Sequence, residues 1–132
     1  MAVDVGRGQL NRIATEQTRA ASSLDRHERS AALLLFYAVE CAMKSRIMQE
    51  KALNSTSQLP PSLRSHNLRA MAKELRLGAA DEAILGTYKS RGSVYPAFEL
   101  HQVWRYGGAL DTAEQARAMR VLRDLLKGFD VK

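Results

Sequence analysis

A single cysteine, three prolines, one tryptophan, three phenylalanines and four tyrosines are all that 132 residues offer of these types. With Cys41 alone, no intramolecular disulfide can form, so the fold must rest on its core. A chain of this length can supply one, burying roughly two-thirds of the surface its unfolded form exposes. Pro60, Pro61 and Pro96 leave long stretches free to be helical. No stretch alternates apolar and polar residues long enough to announce a strand. The longest apolar run, Ser30 to Met48, is interrupted by Glu40, Lys44, Ser45 and Arg46, which argues against a membrane span. Arg7, Arg12, Glu16 and Arg19 break up the first 24 residues, so no signal peptide is expected and cytoplasm is the default compartment.

The signatures of common enzymes are missing too. There is no Gly-x-x-x-x-Gly-Lys loop, and Gly6-Arg7-Gly8 is too short for a dinucleotide fingerprint. His27, His66 and His101 stand far apart with one thiol between them, so neither a metal nor another cofactor is expected. Cys41 lies inside the apolar run, where burial makes a thiol inert. No serine or threonine sits in a nucleophile elbow.

What is present is helical periodicity. An amphipathic helix is predicted over Val5 to Ser22, with Leu10, Ile13, Ala14 and Ala21 inward. The apolar run becomes a long spine helix, His27 to Leu53, buried on most of its circumference, with Glu40 and Lys44 one turn apart and able to pair. The polar stretch Asn54 to Ser62 ends it. Further helices are expected over Ser65 to Leu77 and Ala80 to Lys89, followed by an Arg91 to Pro96 loop. The last helix starts at Asp111 or Thr112, capped with Glu114 or Gln115 in reply, and buries Met119, Leu122, Leu125, Leu126 and Phe129. These elements make one all-α domain, residues 1–132, an up-and-down bundle of four to five helices.

The net charge of +6 and pI near 9.8 attract polyanions. Half of that excess falls between Pro61 and Arg76, where Arg64, Arg69, Lys73 and Arg76 face Glu74 alone. On a helix, His66, Arg69, Lys73 and Arg76 share an arc of roughly 80° opposite Leu68, Met71, Ala72 and Leu75. Such a ridge either solvates its helix or tracks a phosphate backbone.

A second concentration runs from Phe98 to Gly108, where the only tryptophan sits among His101, Arg105 and Tyr106. His101 and Arg105 are four residues apart, on one face of a helix, and could share an anion. Trp104 points into the core. Arg105 is the first candidate, because a planar guanidinium fits phosphate well.

Three blocks in order, Tyr37-Ala-Val-Glu-Cys-Ala-Met-Lys44, His66-Asn-Leu-Arg-Ala-Met-Ala-Lys-Glu-Leu75 and Trp104-Arg105-Tyr106, resemble the prokaryotic HEPN-like family over about residues 25–128. The resemblance implies a bundle of four or five helices, a homodimer, and work in toxin–antitoxin or phage-defence systems. Many members are metal-independent ribonucleases whose signature is an arginine four to six residues before a histidine. That signature is absent here: none of the three histidines has an arginine in that window, and His101 precedes Arg105. The leading expectation is a non-catalytic module that binds RNA, a nucleotide or a cognate protein through His66, Arg69, Lys73, Arg76, His101, Arg105 and Tyr106. The alternatives are a ribonuclease with His101 and Arg105 as its catalytic pair, and a structural subunit of a larger assembly.

Overall fold

A computed structural model describes residues 5–22, 28–77, 86–106, 108 and 110–129. Among these residues the fold is mostly helical: α1 (Arg7–Ser22), α2 (Glu28–Glu50), α3 (Leu68–Glu74), α4 (Leu100–Arg105) and α5 (Thr112–Gly128), with a two-stranded hairpin, β1 (Thr87–Ser90) and β2 (Ser93–Pro96). Short 3₁₀ turns at Thr56–Gln58, Pro61–Leu63 and Ala97–Glu99 fill the connections.

The spine helix is as apolar in three dimensions as in one. From Ala31 to Met48 no residue is exposed, and Leu35, Phe36, Met43, Ile47 and Met48 are fully enclosed. A helix apolar all round needs neighbours on every side. Here α1, α3, α4 and α5 all pack against α2. Ala14 and Ala21 on α1 and Ala31, Ala32 and Ala38 on α2 are fully buried, small residues of the kind that let packed helices approach closely. Gly6 bridges to Ser55, and Thr56 both donates to and accepts from Val5, so the start of α1 is tied to the turn beyond α2. No helix among the described residues is long and apolar enough to cross a membrane.

The region after α3 departs from the sequence reading. Residues 80–85 of the expected fourth helix lie outside the described residues, and Thr87, Tyr88 and Lys89 belong to β1 instead of that helix. The expected Arg91 to Pro96 loop is a tight turn followed by β2. Arg91 and Gly92 both take left-handed backbone angles, φ 49° and 83°, and join strands in register from Ser90 opposite Ser93 to Thr87 opposite Pro96. That is the geometry of a two-residue hairpin turn, normally announced by Asn-Gly. With arginine in the first place and strands of four residues, neither signal was legible.

The hairpin also redirects the residues expected to cap α5. Asp111 is the N-cap but makes no side-chain cap; its Oδ1 accepts from the Arg91 amide at 3.0 Å. Glu114 accepts from the Lys89 amide at 3.1 Å, and Arg117, held by Glu114 at 2.9 Å, donates to the Thr87 carbonyl and lies over the Tyr88 ring. The start of α5 is thus spent on anchoring the hairpin. The rest of α5 follows the expected stripe: Met119, Leu122, Leu125 and Leu126 are buried and Phe129 half-buried.

Trp104 is buried, as expected, and donates its indole N–H to Gln115 Oε1 at 2.9 Å, the same oxygen that accepts the Leu110 amide at 3.3 Å. One buried amide therefore locks α4, the connection and α5 together. Replacing Gln115 by leucine strands both donors and should destabilise the fold by about 1–3 kcal/mol in urea denaturation. A loss too small to measure would show that this lock is dispensable.

Candidate phosphate-binding site

Glu40 and Lys44 face one way on α2 because four residues bring a side chain back to the same face. Both are nearly enclosed, with side chains 10% and 11% exposed, so each charge needs a partner. Lys44 Nζ donates to Glu40 Oε2 at 3.0 Å and to the Arg64 carbonyl at 3.4 Å. Glu40 Oε1, the other carboxylate oxygen, lies 2.5 Å from His66 Nδ1. A carboxylate only accepts, so the proton sits on Nδ1 and the Nε2 edge of His66 is left for another partner.

His66 reaches this position because it stands outside α3. The expected helix from Ser65 to Leu77 shortens to Leu68–Glu74, begun by Asn67, whose Oδ1 accepts from the Ala70 amide at 3.1 Å. His66 therefore leaves the cationic ridge and turns toward α2. The ridge itself is broken further at Arg76, which follows α3 with φ 56° and lines a separate cleft with Ile47, Glu50, Lys51 and Glu74. Arg69 and Lys73 stay on the exposed face of α3. In place of four aligned residues, the structure has two.

His101 arrives from α4, and its ring stands 4.6 Å from that of His66 and 5.1 Å from that of Phe36. It is buried, whereas the His66 side chain is 45% exposed. Tyr37, one residue after Phe36, packs its ring 5.9 Å from His66. Arg105, one turn after His101, donates through Nη2 to the Tyr37 hydroxyl, and its guanidinium carbon lies 5.7 Å from the centre of that ring. The hydrogen bond to Tyr37 holds the Arg105 pKa above its ordinary value by stabilising the cation. Tyr106, the next residue, is 78% exposed.

The sequence-predicted residues thus divide. His66, His101 and Arg105 come together around Tyr37, with Tyr106 next in the chain, whereas Arg69 and Lys73 lie on the exposed face of α3 and Arg76 lines its own cleft. Two residues were missed as site members, Tyr37 and Glu40. The signal was present: both belong to the Tyr37-to-Lys44 phrase, and a glutamate and lysine in an apolar helix demand a reason. Cys41, beside Glu40, has its pKa pushed up to about 11, first by burial and then by the Glu40 charge, against the opposing effect of Lys44. Its thiol is protonated and unreactive near neutrality.

Chemically, the cluster offers a guanidinium with one donor engaged and the others open, an imidazole oriented by a carboxylate, and phenol hydroxyls at the rim. That set suits an anionic oxygen group. No group of three or more His, Cys, Asp or Glu side chains among the described residues is arranged to hold a metal. Comparison of the chain with protein-family models, curated proteins and solved structures finds no match.

Truncating Glu40 to alanine leaves Lys44 buried with its charge unpaired and should cost about 3–5 kcal/mol in urea denaturation. Adding Lys44→Met to that variant should restore part of the loss. If Glu40→Ala costs no more than about 1 kcal/mol, as an exposed pair would, the pair does not organise the site.

Proposed function

We propose that the chain is an RNA-binding module of the HEPN-like kind, with a backbone phosphate held between Arg105, Tyr37 and the open edge of His66. The observation that carries this reading is the meeting of His66 and Arg105 at Tyr37: a guanidinium that donates to phosphate and an imidazole whose Nε2 donates when the ring is protonated share one tyrosine at an accessible rim. Arg69 and Lys73 add a sequence-independent attraction along α3. Fluorescence anisotropy with a labelled single-stranded RNA should show binding at low salt, with a linear fall of log affinity against log salt. Arg105→Ala should weaken it about tenfold and lower the salt slope by about one. Absence of binding at low salt, or affinity unchanged by Arg105→Ala, rejects the reading.

A second reading, RNA cleavage, is favoured by the carboxylate behind His66. Glu40 orients the imidazole with Nδ1 toward its carboxylate, which turns Nε2 outward to accept a proton, as a general base must. His66 Nε2 would take the 2′-hydroxyl proton, the 2′-oxygen would attack phosphorus, and the bond to the 5′-oxygen would break, that oxygen leaving with a proton from water. The products are a 2′,3′-cyclic phosphate and a 5′-hydroxyl, with Arg105 holding the charge that develops on the phosphoryl oxygens. His101, the base expected from sequence, is buried, with its ring 4.6 Å from that of His66, and acts in this arrangement as a packing partner of the base. Incubating RNA with the protein in chelator should give cyclic-phosphate ends that His66→Ala abolishes. Intact RNA would leave binding alone as the function.

A further inference from the structure

The opposite flank of α4 carries a feature that phosphate binding does not use. Ser90 and Tyr95 of the hairpin, Gln102 and Val103 of α4, Glu99 and Tyr106 at its two ends, and Gly108 line an open cleft of about 300 Å³. This size is at the lower end for ligand pockets and suits one flat heterocycle. Gly108 shapes one rim: its amide donates to the Val103 carbonyl at 2.8 Å, and a Cβ there would sit 2.8 Å from that same oxygen.

We infer that this cleft is a guanine subsite for a nucleotide whose phosphate is held at Arg105, an inference that rests on the RNA-binding reading above. Three observations carry it. First, at about 100° per residue Gln102 and Val103 bound an arc of about 100° on α4, Arg105 falls between that arc and His101, and Glu99 and Tyr106 flank the helix at its two ends. Arg105 therefore stands on the border of the two sites, next in the chain to Tyr106 of the cleft, and its guanidinium is hydrogen-bonded to Tyr37 on the other flank. A base and its own phosphate could be held together across that border.

Second, Tyr106 is far more exposed than a tyrosine needs to be, and with Tyr95 it gives the cleft aromatic surface on which a base can stack. Third, the polar lining discriminates among bases. Glu99 is half-buried and enters no ion pair among the described residues. A carboxylate offers two acceptors side by side, and guanine alone presents two adjacent donors, its N1 and N2 hydrogens, on one edge. Adenine and cytosine place a single amino group beside an acceptor, and uracil has one N–H. The Gln102 amide can donate to the guanine O6.

The test uses uridine hexamers with one central position varied to G, A or C, carrying 2′-fluorine in place of the hydroxyl so that they cannot be cleaved, measured by anisotropy at low salt. The G hexamer should bind about fivefold or more tightly than the other three, and Glu99→Gln should bring all four within about twofold without changing the affinity for the all-uridine strand. Glu99 lies just before α4 and outside the phosphate set, so this variant separates the two sites. Equal binding of all four strands to the unmodified protein rejects the guanine subsite while the phosphate site stands. A guanine preference that survives in Glu99→Gln also rejects it. No binding of any strand overturns both readings.

Discussion

The Glu40 carboxylate is the constraint on which the rest depends. It is a charge inside the most apolar helix of the chain, and a buried charge is tolerated only with partners in place. Its two oxygens meet Lys44 from its own helix and His66 from the segment before α3. Lys44 in turn bonds the Arg64 carbonyl, so the same cluster holds both ends of the Arg64-to-His66 stretch against α2. Such a pair contributes little net stability compared with a well-packed apolar substitute, but it permits one arrangement of the connection and few others. That arrangement brings the His66 ring beside those of Tyr37 and His101.

The second constraint works from the other side of α4. Trp104 and His101 face inward, the first fixed by Gln115 of α5 and the second against Phe36 of α2. With its buried face set by two helices, α4 has no freedom to rotate, and its remaining residues are presented in fixed directions: Arg105 toward Tyr37, Glu99 and Gln102 toward the hairpin. The hairpin is held by the start of α5 through Asp111, Glu114 and Arg117. One short helix is therefore shared by two surfaces, each shaped by a different neighbour.

The helices that were legible in the sequence are those whose burial follows a period: the α5 stripe from Met119 to Leu126, the α1 positions Leu10, Ala14 and Ala21, and the all-round apolar α2. The pairing of Glu40 with Lys44 was legible from spacing, and the burial of Trp104 from its surroundings. What periodicity could not reveal was set by contacts distant in the chain. His66 fits the helical pattern of Arg69 and Lys73, yet Asn67 caps α3 after it and Glu40 draws it away. Asp111 and Glu114 read as a local cap and serve a hairpin some twenty residues earlier, where Arg91 hides the turn that asparagine would have advertised. Tyr37 is where the candidate site meets the core: it is partly buried against the core while its hydroxyl reaches Arg105.

The central claim, that His66, Tyr37 and Arg105 form one phosphate-binding unit held by Glu40, is tested most directly by NMR of the side chains themselves. The imidazole nitrogens of His66 and His101 and the Arg105 Nε–H can be followed in labelled protein titrated with a dinucleoside monophosphate. The account predicts that Arg105 Nε–H and His66 Nε2 shift together along one saturable curve, while His66 Nδ1, held by Glu40, moves little. Shifts confined to Arg69 and Lys73 with Arg105 and His66 unmoved would contradict it.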